Sequence, residues 1–197
     1  MRDLYVLQHC EPEFLGLIED HLEGRGIRFA YIRPFASGGS VPGTAAPSDG
    51  LILIGGGAWG TVSEPILPWL EAELRLTRDF LNRSKPIVAW GLGAQILALA
   101  AGGTCEPRAL TACVERARRV DDQALNGQMP AEFPLITFMR DRPVPPPSAR
   151  ILARDEAGNP AAFQIGSNGV GFVGHPGIKP GMAEDLIMSF DEDLVGA

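Results

Sequence analysis

Four pieces of this sequence combine residue types and spacing that could do chemistry. The first is "IGGGAWG", which sets Gly55, Gly56 and Gly57 in a row. Backbone without side chains can turn tightly and reach positive φ values. The plainer use of such a run is a tight loop, with Trp59 as a packing aromatic. The second piece is "PIVAWGLGAQILALAAGG", a strand-like run that breaks at Gly91 into an apolar helix-like run. Strand, sharp turn and helix form the pedestal that presents a nucleophile. Here the apex, Gly91, has nothing to present. The third is "GHPG", with His175 two residues before Gly177. A histidine works as a base when a further group orients it. The fourth is "QHC", where His9 and Cys10 set an imidazole beside a thiol; a small buried thiol next to a loop histidine is the plainer reading.

Such pieces act together only if a scaffold brings them to one edge, and the hydrophobic pattern predicts one. "DLYVLQ", "IRFAYIRP", "LILIGGG" and "PIVAW" read as strands. Between them, "EFLGLIEDHLEGRG" places Phe14, Leu17, Ile18 and Leu22 at helical spacing, and "ILPWLEAELRLTRDFLNRS" does so with Leu67, Leu70, Leu74 and Phe80, Pro68 falling in the first turn. Strands alternating with helices imply right-handed βαβ units and a parallel sheet covered on both faces. The second half reads as short strands ("FPLITFM", "ARILARD", "AAFQIG", "GVGFVGHPG"), a rigid connector "RPVPPPS", and a terminal amphipathic helix in "GMAEDLIMSFDEDLVGA". In open sheets of this kind ligands bind beyond the carboxyl ends of the strands, which is where "QHC", "GGGAWG" and "AWGLG" fall, with "GHPG" near the end of the chain.

Composition bounds the function classes. The 197 residues, 45 % hydrophobic and 21 % charged, suit a single globular domain spanning 1–197. A formal net charge of −7 argues against nucleic acid as a partner. The one basic cluster, Arg116, Arg118 and Arg119 in "VERARRV", reads as a solvated face. With no long apolar run and no leader-like start, the expectation is a cytoplasmic protein without a membrane partner. Cys10, Cys105 and Cys113 share no metal-ligand spacing, so reduced, mostly buried thiols and no metal are expected.

The order of the pieces resembles the class I glutamine amidotransferases, in particular domains similar to the glutaminase domain of GMP synthetase. "DGLILIGGGAWG", "LPWLEAE", "KPIVAWGLGAQILALAAGG" and "GVGFVGHPG" follow the family's order along nearly the whole chain. The resemblance implies a three-layer, flavodoxin-like α/β sandwich with a mostly parallel central sheet. It makes Gly55, Gly56, Gly57 and the N–H of Leu92 the oxyanion donors and puts Gln95 among the ligand-binding positions. It matches His175 to the base, Gly91 to the nucleophilic cysteine and Gly177 to the orienting glutamate. The first glycine of the family's turn is Ala89 here. Gly91 cannot attack, and His175 without a carboxylate at Gly177 loses the partner that would fix its tautomer.

The implied function is an amidotransferase-like protein without glutaminase activity and without a cofactor. Its expected role is that of a synthetase or ligase partner, a homo-oligomer, or a module binding a small carbonyl compound or anion. The alternative is an active amidotransferase or hydrolase using Cys10, His175 or a partner chain's residue. Two further expectations concern the site. The Gly91 turn survives as a relaxed elbow beneath an open pocket. Arg140, Asp141 and Arg142, where related domains carry a histidine-containing segment, form an exposed ion-pair cluster.

Overall fold

A computed structural model describes residues 2–190. Its centre is a run of parallel strands: β1 (Asp3–Leu7), β2 (Arg28–Ile32), β3 (Gly50–Leu53) and β4 (Ile87–Trp90). Helix α1 (Leu17–Glu23) links β1 to β2, α2 (Leu70–Asn82) links β3 to β4, and α3 (Leu92–Ala100) leaves β4. After a short strand β5 (Thr104–Glu106) come β6 (Thr111–Arg119), β7 (Glu132–Met139), β8 (Arg142–Val144), β9 (Arg150–Arg154), β10 (Pro160–Ile165), β11 (Gly169–Phe172) and helix α4 (Pro180–Phe190).

Nine strands form one mixed sheet in the order β2-β1-β3-β4-β11-β10-β9-β6-β7, and β5 pairs with β8 in a separate ribbon. The β2-β1-β3-β4-β11 half is parallel, and the pairings beyond it are antiparallel. Alternation along the strands sorts the core. Val6, Ile52, Ile54 and Trp90 face α1 with Leu15, Ile18 and Leu22. Leu7, Leu51, Leu53, Ile87 and Ala89 face α2 and α3, meeting Leu76, Phe80 and Ile96. The α/β class and the mostly parallel centre agree with the sequence pattern.

Three local expectations are corrected. The first helix begins at Leu17, because Gly16 takes φ +61 at its N-cap, and Phe14 lies outside it. Pro68 precedes α2, which is capped by Trp69. "VERARRV" lies in β6 up to Arg119, and its Arg116 and Arg118 face solvent, as its reading as a solvated face implies, and pair with Glu132. The Pro-rich connector contributes β8. The terminal helix is present as α4 up to Phe190, and the rest of the expected helical segment, 191–197, lies outside the described residues.

Candidate functional site

The carboxyl ends of β1, β3, β4 and β11 bring the glycine loop, the Gly91 turn and the His175 loop to one edge. Gly91 is the N-cap of α3, with φ +55 and ψ −124, a backbone state that L side chains rarely adopt. It is buried, its N–H donates to the Phe172 carbonyl, and a Cβ there would lie 3.2 Å from the Gly55 Cα. The turn is therefore intact as a strand-to-helix elbow. Leu92 begins α3, so its N–H is one of the donors a helix leaves without an internal partner. A Cβ on Gly56 would overlap Leu92 Cδ2, so the glycine is what lets loop and helix approach.

The space over Gly57 is filled. Of the three consecutive glycines only Gly57 takes positive φ, and the Phe190 ring from the end of α4 occupies the place where its Cβ would be. Phe190 also packs on Phe138, with ring centroids 6.1 Å apart. Gln95 is fully buried and already engaged: its Oε1 accepts from the Thr61 hydroxyl and its Nε2 donates to the Arg140 carbonyl. It holds the loop instead of facing a ligand.

His175 is oriented without a carboxylate. Its Nε2–H donates to the Phe14 carbonyl at 3.0 Å, and its Nδ1 accepts the Gly177 N–H at 3.0 Å. These two bonds fix the tautomer, which corrects the expectation that losing the glutamate would leave it free. The ring rests on Trp90, with centroids 4.8 Å apart. Burial pushes its pKa down to about 4, so the ring is neutral around pH 7. Gly177 in turn is locked to the start of α1. Its carbonyl accepts the Leu17 N–H at 2.8 Å, and a Cβ on Gly16 would overlap that same oxygen. A Cβ on Gly177 would meet Ile18 Cγ1 at 2.9 Å. The two glycines interlock.

Below the glycine loop lies a buried charged network that the sequence pattern does not reveal. His9 donates from Nδ1 to the Gly55 carbonyl at 2.8 Å, and its Nε2 meets Glu73 Oε2 at 2.9 Å. Both side chains are inaccessible to solvent. Burial works against the charged ring, but the Glu73 carboxylate and the Gly55 carbonyl outweigh it and hold His9 above its ordinary value. Glu13, also buried, lies against Gly55, so that a Cβ there would overlap its carboxyl. Burial raises the Glu13 pKa to about 7, against the pull of charged His9 and the N–H groups of Gly57, Gly55 and the Trp90 indole. A signal for Glu73 existed: a carboxylate three residues after Leu70, inside the apolar stripe of α2. Nothing in the sequence marks Glu13.

The remaining candidates divide. Cys10 is buried, and burial pushes its thiol well up, so it is an inert thiol rather than a nucleophile. Cys105 and Cys113 are free and only partly buried, which corrects the expectation for those two. Trp59 is a packing aromatic, edge-on to Trp69. The Arg140–Arg142 segment is not an exposed cluster. Asp141 is 1 % exposed; it accepts the N–H groups of Thr61, Val62 and Ser63 on one oxygen and that of Arg108 on the other. Arg140 donates to the Ala58 carbonyl, and Arg142 pairs with Asp155. Among the described residues, no three His, Cys, Asp or Glu side chains are grouped to hold a metal ion, and no helix is long and apolar enough to cross a membrane.

No family model matches the sequence, and no curated protein matches it either. Solved structures do. A glutamine amidotransferase from Methylobacillus flagellatus is 25 % identical and superposes with a TM-score of 0.86 over 100 % of this chain and 79 % of its own. Another from Thermotoga maritima is 20 % identical, with a TM-score of 0.84 over 97 % and 83 %. The fold is that of the class I glutamine amidotransferases. A Thermoplasma acidophilum protein assigned as a GMP synthase subunit has this amidotransferase fold too, at 17 % identity and a TM-score of 0.68 over 98 % and 96 %. Within that fold the carboxyl edge of the parallel strands is where this chain places Gly91, His175 and the glycine loop.

Proposed function

We propose that this protein is a glutamine amidotransferase-like module that does not hydrolyse glutamine and serves through binding, to a small molecule or as the non-catalytic partner of a synthetase. The observation that carries this reading is the wiring of His175. Both of its ring nitrogens are engaged by backbone groups, and the residue where an orienting carboxylate would stand is interlocked with Gly16. With Gly91 at the apex there is no attacking atom, so the steps of acyl transfer (attack, proton removal, leaving-group protonation) have no residue at two of their three positions. The partner role draws on the similarity to a protein assigned as a GMP synthase subunit.

Ammonia release from L-glutamine by the purified protein, alone and with any synthetase that co-purifies, tests this directly. None is expected. Release that His175→Ala abolishes would overturn the reading. Gly91→Cys should also remain inactive, because His175 is turned to Phe14. Adding Gly177→Glu should destabilise the fold by about 2–4 kcal/mol, since the new side chain must displace the start of α1; urea denaturation checks the loss.

A further inference from the structure

On the α1 side of His175 lies a cavity of about 440 Å³. It sits at the carboxyl edge of the sheet, where open α/β folds bind ligands, and its size is within the range of small-molecule pockets. Its wall is formed by Leu17, Met129, Phe133, Ile136, Phe172 and His175, with backbone and prolines between them; among the described residues no Asp, Glu, Lys or Arg lines it. We infer that this cavity binds an uncharged, predominantly apolar small molecule of aromatic character.

This ligand class rests on the reading of the chain as a binding module and says what that module takes. Three observations support it independently. His175, the single titratable side chain in the wall among the described residues, offers no free nitrogen, since Phe14 and Gly177 take both. An amino-acid head group placed there would lose hydration with no side chain to replace it, whereas an apolar ring loses nothing of the kind. The mouth is strained. Leu125 on the rim holds φ +50 and Asn126 beside it φ +57. A leucine in that region costs on the order of 1–3 kcal/mol, and such strain concentrates at ligand clamps. Leu125 and Leu17, 39 % and 49 % exposed, also present apolar surface to water at the entrance. Finally, the cavity is held by stiff elements. Pro130, Pro134 and Pro176 stiffen its wall, and the Gly16–Gly177 interlock fixes one end, so little ordering opposes binding. The competing position over Gly57 is filled by Phe190.

The test uses N-phenyl-1-naphthylamine, an uncharged aromatic whose emission rises in apolar surroundings. Titration into the full chain should give a saturable increase. Leu17→Trp, which fills the mouth, and Leu125→Asp, which places a charge there, should each weaken binding at least tenfold while circular dichroism reports an unchanged fold. Val88→Trp alters a neighbouring cavity of about 520 Å³, whose wall includes Arg2 and Asp49, and should leave affinity within twofold. No saturable increase with the native chain overturns the inference, as does binding that Val88→Trp removes and the two mouth variants leave intact. Should one mouth variant fail to fold, the other decides. Ammonia release measured on the same samples bears only on the loss of hydrolysis, so the two readings fail separately.

Discussion

Glu13 and His175 should give the site opposite responses to pH. The folded chain raises Glu13 to about 7 from 4.5, so between these values it keeps a proton that the unfolded chain releases. Its contribution to stability is complete below pH 4.5 and is lost as pH rises through 7. His175 runs the other way: held at about 4 against 6.5, it contributes fully above pH 6.5 and loses that contribution as pH falls through 4. Between about pH 4.5 and 6.5 the two offset each other, so Glu13→Gln should leave His175 unopposed, making stability fall more steeply toward acid and removing the decline between about pH 6.5 and 7. Urea midpoints across that range measure it, and an unchanged slope in the variant would refute the assignment. The direction follows from burial without a compensating cation at full strength, since His9 is already bonded to Glu73.

At the scale of elements, the site is held by segments that reach across the fold. Asp141 ties the turn after β7 to residues 61–63, which follow the glycine loop, and Arg140 holds Ala58 from the same turn. The Asp141 φ of +56 is strained for most residues and tolerable for Asn or Asp, whose short polar side chains suit that region. Asp141→Asn should thus retain the backbone while weakening the charged acceptor of three N–H groups, with a loss of about 1–3 kcal/mol. Amide exchange at residues 61–63 should speed up selectively, and uniform change across the chain would show that the clamp is not local. The Arg140–Arg142 run reads as ordinary surface charge in the sequence because the N–H groups that Asp141 accepts at residues 61–63, and the Ala58 carbonyl that Arg140 reaches, lie far away in the chain. The helix at "EFLGLIEDHLEGRG" was legible in its apolar spacing, but its start was not: Gly16 is set by the close approach of Gly177, a contact that no local pattern reports.

Across the whole molecule, the two halves of the sheet are joined unequally. Neighbouring parallel strands pair over three to five residues, whereas β6 meets β9 only through Arg118 with Arg154 and Arg119 with Ala153. The β6–β7 ribbon, itself paired over eight residues, should open before the parallel centre. Hydrogen exchange followed by mass spectrometry should find residues 111–119 and 132–139 exchanging faster than 50–53 and 87–90; equal protection would mean that the core packed on Ala117 and Leu135 holds the ribbon by itself.

The sequence alone determined the parallel α/β centre, the glycine loop and the elbow at Gly91. Each depends on period, apolar runs and turn residues within a short stretch of chain, and a missing side chain can be read from a letter. Only the tertiary structure decided what surrounds them. Glu73 from α2 meets His9 from the end of β1, Phe190 from α4 covers Gly57, and Phe14 and Gly177 take the two nitrogens of His175. Most of these partners are distant in the chain and become neighbours through packing, which no local periodicity encodes. Gly91 thus lies against the backbone of Gly55, and a cavity opens on the apolar side of His175.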